Sequence, residues 1–467
     1  MLFFNPLIPK TMKKFHHNIY YCFVLLTVLQ LSACSRTFLE VKPQKQQVVV
    51  ETLQDITALL DHANVMNRTD YSRLISDGDF YYTDAKVASI PEVQRNLYLW
   101  NVTIDPTNLH TASWDLPYQQ IMYANIAMET LEEMSRGNDN RASWEELYGR
   151  ARFFRAWAHY QLLQDFAEGY DNRRNDQLGI PILTKSTYPQ SIERASIEDV
   201  YNFILTDLEE SVLHLPERSS IKTRPSKQSG YALMARVYLN LGDFEAALLH
   251  VQYALELDKT LLDYNMLSLT DPLPFAKFNF LSHPEIIFFT SSNVPLVAIA
   301  GIEGAEQVYS RYSDDDLRKK VFFNDERLYT GTYSGASSYH FTGLAIDELY
   351  LIQAESLIRL DRLEEGINVM KELLSNRFVY NDVTVDIPDR MEELLYWILE
   401  ERQKELVGRG TRWTDLKRIN RDSETQVDLT RVYNGEQYEL PANSSRYTFT
   451  IPLDEIQISG IEQNVRK

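Results

Sequence analysis

Aromatic rings interleaved with amides and charges are the chemistry this sequence offers most plainly, and they gather in two stretches. In the first, Tyr98 and Trp100 alternate with Leu97 and Leu99, so an extended segment would turn both rings to one face and both leucines to the core. Asp79, Tyr81, Tyr82, Arg95, Asn96 and Asn101 surround that pair in sequence. In the second, Tyr309, Arg311, Tyr312, Tyr329, Tyr333 and Tyr339 lie among Ser, Gly and Asp. A sugar ring presents C–H groups on one face and hydroxyls at its rim. Binding it takes a flat aromatic surface beside amide, carboxylate or guanidinium groups. Tyrosine adds a hydroxyl to its stacking area and serves a peptide equally well. The plainer alternative for Trp100 is a plug that seals a loop against helices, and for the loop tyrosines it is ordinary packing.

Bond-breaking chemistry has no comparable signature. No nucleophile elbow, zinc-binding histidine pair, phosphate loop or dinucleotide fingerprint occurs. Asp314-Asp315-Asp316 is the densest acidic cluster and reads as a solvated turn; a carboxylate pair for glycoside hydrolysis is defined by separation in space. The expectation is a protein that binds without turnover, with no cofactor and no metal. Glu401, Arg402, Glu405, Arg409, Arg412 and Asp415 could hold a carboxylate. They read better as a helix end tied to the next helix start by ion pairs. Trp144, Trp157, Trp397 and Trp413 fall on helical patterns and belong to the core, as does Trp114.

A third chemical feature is Cys34. Lys10, Lys13 and Lys14 precede an apolar run from Ile19 to Leu29 that closes on Leu31-Ser32-Ala33-Cys34. The run is too short for a spanning helix, which needs roughly 20 residues, and its small closing residues suit a peptidase. Residues 1–33 are therefore expected to be a cleaved lipoprotein signal, starting at Met1 or Met12, with lipid carried on the Cys34 sulfur. Cys22 lies inside the signal, so the mature chain has no disulfide. The formal charge of −19 becomes −22 once the three lysines leave with the signal, which argues against nucleic acid and polyanionic ligands.

The elements that must position these groups are mainly helical. Residues 35–50 read as a tether, 51–65 as a first helix, and 70–117 as loop with brief strands or turns. Helical period returns at 118–134 and 144–166, and at 197–215 behind Ser196 with Asp199 three residues on. Pro225 opens another helix. Residues 232–257 and 345–374 each read as two helices joined by a tight turn, with Ala235, Ala247 and Ala354 allowing close approach and Gly242 supplying a turn. This is the tetratricopeptide design. A long insertion at 264–340 carries a short strand at 286–289, a helix spans 388–407, and Phe449-Thr450-Ile451-Pro452 reads as a docking strip.

Taken in order, these stretches resemble the SusD/RagB family over nearly the whole mature length, 34–467. The resemblance rests on Phe38-Leu39-Glu40-Val41-Lys42-Pro43 after the lipobox, Ala151 to Tyr160, and Gly179-Ile180-Pro181-Ile182. It continues through Val200 to Ile204 with Asp207-Leu208-Glu209, Ala235 to Leu239 with Gly242-Asp243-Phe244, and Glu348 to Glu355. Glu401 to Leu406, Gly410 to Arg418, and Ile451-Pro452 with Glu455-Ile456 and Gln463-Asn464 complete it, while His159 and Gln161 depart from the family's more apolar pattern. The resemblance implies a mainly α, SusD-like α/α superhelix with tetratricopeptide-like hairpins. It also implies a nutrient-binding lipoprotein on the outer membrane of Bacteroidetes-like bacteria, partnered by a SusC-like TonB-dependent transporter and binding glycans or, in some members, peptides. A helical-repeat scaffold that binds only protein is a further alternative.

Overall fold

A computed structural model describes residues 50–104, 112–137, 139–187, 192–292, 303–304, 306–336 and 339–467. Its first regular element is α1 (Leu53–Leu60), opened by a reciprocal cap between Thr52 and Asp55. Next in the helical body come α2 (Ala112–Glu133) and α3 (Arg141–Phe166), and every residue of α3 from Phe153 to Phe166 is buried. A helix buried all round belongs at the centre. Accordingly α3 lies between α2 and α4 (Ile197–His214), whose Ser196 cap accepts from the Asp199 amide as its spacing predicts. Arg155 fixes the pair by a two-pronged grip on Asp207 (2.7 and 2.8 Å), and Arg152 adds a third bond at 2.7 Å.

The two tetratricopeptide-like hairpins form where expected. The first is α5 (Lys227–Leu241) with α6 (Phe244–Leu257), turned at Gly242 in the left-handed region (φ 76°), with Asp243 capping α6 through the Ala246 amide. The second is α7 (Ile346–Arg359) with α8 (Leu363–Ser375). Gly366 is needed at that crossing because a Cβ there would come within 2.6 Å of Ile358 Cδ1. Helix α6 packs on α7, so the hairpins stack although the insertion separates them in sequence, and α9 (Met391–Glu405) lies against α7.

Two readings need correction. Residues 70–117 are less a loop than a set of short helices, Ser72–Ser76, Asp84–Ser89 and Glu92–Tyr98, whose few turns carry too little periodicity to stand out. The segment after α10 (Arg412–Ile419) forms an unforeseen hairpin, β5 (Leu429–Tyr433) with β6 (Glu436–Leu440). Ahead of it in the chain, β1 (Phe80–Tyr81) pairs with β3 (Glu303–Gly304), and β2 (Ile286–Phe288) pairs with β4 (Leu344–Ala345). The C-terminal strip docks through the Phe449 amide on the Asp165 carbonyl at the end of α3 (2.9 Å).

The insertion is bolted to the helices by buried ions. Glu405 on α9 accepts from Arg377 Nε (2.7 Å) and Arg318 Nη1 (3.1 Å), Arg318 also holds Asp316 and Glu401, and Arg377 also holds Glu285. Burial raises the Glu285 carboxyl to about 7 against the pull of Arg377. The charged constellation at 401–415 is thus internal: Arg402 spans Asp415 and Glu348, and Arg409 holds Asp347. Glu285, Asp347 and Glu405 stand close enough together to suggest a metal, but arginines already occupy them. Removing one partner from such a network strands the other charges. Arg377→Met is expected to lower unfolding free energy by about 3–5 kcal/mol in a denaturant titration. A loss under about 1 kcal/mol would show the network to be dispensable.

Candidate functional site

Three chain segments meet at one cleft. Gly78, left-handed at φ 87°, turns the chain while the Asp79 amide donates to Asp77 Oδ1 (3.0 Å). The turn leads into β1 with Phe80 pointing inward and Tyr81 outward, 42% exposed. Pairing of Tyr81 with Glu303 and Phe80 with Gly304 brings the insertion alongside, and β5 closes the third side. The resulting cleft of about 310 Å³ is lined by Gly78, Phe80, Tyr81 and Tyr98 from the first segment, by Glu306, Gln307 and Arg327 from the insertion, and by Thr430, Arg431 and Val432 from the hairpin. That size is at the low end of ligand sites, about 300–1,000 Å³.

Beneath the cleft is a stack of rings and ions. Tyr82 and Tyr98 lie parallel at 4.5 Å, and the Tyr82 amide donates to the Tyr98 hydroxyl (3.0 Å). The Arg431 guanidinium sits 3.8 Å from the Tyr98 ring centre and 4.3 Å from that of Trp100, and donates to the Tyr98 and Ile75 carbonyls. Burial raises the Asp79 carboxyl to about 6, opposed mainly by Arg412, and Gln403 donates to it at 2.8 Å. Asp77 is pushed up as well, by burial and then by the charge of Asp79. Neither carboxyl opens to solvent, and neither is among the residues lining the cleft.

The expected aromatic platform is therefore corrected. Tyr98 ends a helix rather than sitting in a strand, Trp100 follows it in the left-handed region (φ 53°), and each is 1% exposed. Trp100 Nε1 donates to the Ser76 carbonyl (2.8 Å), which gives this buried ring its one polar demand. Asn96 donates to the Ile104 carbonyl, Asn101 donates to Asn96, and Asp79 and Tyr82 are buried, while Arg95 is half-buried on its helix away from the cleft lining. In the insertion, Tyr312 is buried with its hydroxyl on the Lys404 carbonyl, and Tyr333 is buried on Glu285 and Asp347. Tyr329 bonds the Val407 carbonyl and packs edge-on against Phe80 (5.4 Å). Arg311 bonds Gln403, and Tyr309 is half-buried beneath Arg327.

What the structure does bring together at the cleft is Tyr81 and the buried Tyr98 from the first stretch with the Tyr309–Arg327 corner of the second. Sequence reasoning missed Glu306, Gln307 and Arg327, which carry no motif. It also missed Thr430 to Val432, although Asn434-Gly435, with φ 51° and 79°, is a strong hairpin signal. A larger cavity of about 520 Å³ lies between the end of α3 and the C-terminal strip. Its charges are largely spent on one another, as in Arg173–Asp171 (2.8 Å) and Arg174–Asp176 (2.9 Å), and its single ring, Tyr447, is only 4% exposed. Of these two, the smaller cleft is the better site because it presents an exposed ring beside an exposed charge pair.

Comparison with known proteins decides the family. A SusD-like profile described as "Starch-binding associating with outer membrane" matches residues 37–239, and the SusD family profile matches 311–460. The chain belongs to the SusD/RagB family. SusD-like protein P38 of Formosa agariphila is 23% identical over 88% of this chain and 93% of its own, and a SusD-like protein of Bacteroides ovatus is 26% identical over 46% and 38%. Among solved structures, a putative sugar binding protein from Bacteroides vulgatus superposes with a TM-score of 0.73 at 18% identity, covering 90% of this chain and 99% of the other. A SusD superfamily protein from Bacteroides fragilis gives 0.70 at 18%, covering 88% and 99%. The mainly α SusD-like fold is thereby shown.

The placement of Trp100 makes a distinction measurable by stability. Trp100→Ala should cost about 3–5 kcal/mol, as large-to-small changes of buried rings do. Tyr81→Ala should change stability by no more than about 0.5 kcal/mol, as exposed sites do. Denaturant unfolding of the two variants reads this directly, and a mild effect at Trp100 would contradict its role as a core plug.

Proposed function

We propose that this chain captures oligosaccharide at the Tyr81–Arg327 cleft and passes it, unaltered, to a SusC-like TonB-dependent transporter. The observation that carries this reading is the exposed Tyr81 ring facing a carboxylate, a guanidinium, an amide and a hydroxyl across one cleft. That combination matches the apolar face and hydroxyl rim of a sugar. Support also comes from relatives: the matching family profile is described as starch-binding, and a solved neighbour is a putative sugar binding protein.

Attachment to the outer membrane, facing the cell surface, would come from lipid on Cys34 after removal of residues 1–33. These positions lie outside the described residues. Among the described residues no helix is long and apolar enough to cross a membrane, and a lipid anchor needs none. The two alternatives, oligopeptide capture on the same scaffold and binding of protein alone, are separated by titrating the mature chain against defined oligosaccharides and oligopeptides. Binding of oligosaccharide is expected, and Tyr81→Ala should weaken it by about 1–3 kcal/mol, by analogy with base stacking on an aromatic side chain. Affinity for peptides alone would overturn the carbohydrate reading. Unchanged glycan affinity in Tyr81→Ala would remove the cleft from it.

A further inference from the structure

Resting on the cleft as the carbohydrate site, we propose that the Glu306–Arg327 pair at its mouth reads two neighbouring hydroxyls of a neutral sugar and turns away saccharides carrying carboxylates. The pair joins two separate parts of the insertion, Arg327 Nη1 donating to Glu306 Oε2, and both side chains stay open to solvent, 45% and 66% exposed. Its geometry is fixed from behind. Arg327 sits at the tip of a turn in the left-handed region (φ 61°). There Asn324 Oδ1 accepts from the Glu326 and Leu328 amides (3.0 and 2.8 Å), and the Arg327 amide returns to the Asn324 carbonyl (2.9 Å). The Tyr309 ring, 5.1 Å from the guanidinium carbon, covers one face of the head group, so its donors are presented edge-on.

A guanidinium has five N–H donors and a carboxylate about four acceptor positions, so one shared hydrogen bond leaves both with capacity to spare. Side by side they offer a donor edge next to an acceptor edge. Adjacent hydroxyls on a sugar ring are the complement, since each can donate to the carboxylate and accept from the guanidinium. Tyr81 faces them with a ring for the sugar's C–H face.

The charges explain the exclusion. Arg327 is offset by Glu306, and Arg431, the other cation of the lining, keeps its charge but lies buried beneath the ring stack with donors on the Ile75 and Tyr98 carbonyls. An incoming carboxylate would therefore meet the Glu306 charge beside an arginine whose charge Glu306 already offsets, with Arg431 buried below, on a chain whose net charge is −19, or −22 without the three lysines of residues 1–33. Discrimination of this kind needs no steric gate.

The test uses the mature chain with maltotetraose, mannotetraose and galactotetraose, and with each converted to its C6-carboxylate form, measured by calorimetry. At least one neutral tetrasaccharide should bind, and its oxidised form should bind at least about tenfold more weakly, or 1.4 kcal/mol. Glu306→Gln keeps the shape and removes the charge. It should weaken neutral binding about fivefold while narrowing the neutral-to-acidic ratio to under about threefold. Arg327→Gly, which suits the turn's positive φ, should lose neutral affinity while its Tm holds or rises. Equal binding of neutral and oxidised forms by the wild type, or a ratio unmoved in Glu306→Gln, overturns the proposal. If Tyr81→Ala still weakens glycan binding in that case, the cleft stands and only the role of the pair falls. Binding of no tetrasaccharide, or binding indifferent to Tyr81→Ala, overturns both.

Discussion

Glu405 is a carboxylate with no route to water, shared by two arginines from different parts of the chain. Arg377 arrives from the end of the second tetratricopeptide-like hairpin and brings Glu285, just ahead of β2, with it. Arg318 arrives from the insertion and brings Asp316. Each ion is costly to bury and tolerable only because the others are present. A long insertion, which would otherwise have the mobility of a surface loop, is thereby tied at Glu285 and again at Arg318. The cleft can hold a fixed shape because its insertion wall is anchored in this way.

From that anchor, rings carry the order outward. Phe323 follows the short helix that bears Arg318 and lies against Tyr309, Tyr312 and Tyr329, and Tyr329 in turn lies against Phe80. Gly408 makes room for Tyr329: a side chain there would collide with its ring at 2.7 Å. On the opposite wall Arg431 ties the β5 hairpin to Tyr98 and Trp100. Most aromatic residues of the two loop-rich stretches are consumed in building the walls. Among the described lining residues Tyr81 has the most exposed ring, beside Glu306 and Arg327.

This division explains what was legible in the sequence. Helices α3 to α8 could be read because apolar residues at helical spacing persist over several turns, and Ser196 before α4 and Gly242 after α5 mark their ends. The ionic role of residues 401–415 could be read because alternating charges at helical spacing have few other uses. The alternation at Tyr98 and Trp100 fits a strand and a helix end alike, so their burial cannot be read from it. Nothing local reveals that an arginine more than 300 positions away fills the space between their rings. Glu306 and Arg327 were illegible for the same reason, since their chemistry exists only once β1 and β3 pair and the turn at Asn324 closes.

Family membership and fold fix the scaffold; the position of the ligand is the claim that most needs a direct answer. A structure of the mature chain with a bound neutral tetrasaccharide supplies it. A sugar ring should lie against Tyr81, with adjacent hydroxyls within hydrogen-bonding distance of Glu306 and Arg327. A sugar seated instead in the larger polar cavity between Glu168–Arg194 and Asn443–Val465, with the Tyr81 cleft empty, would contradict it.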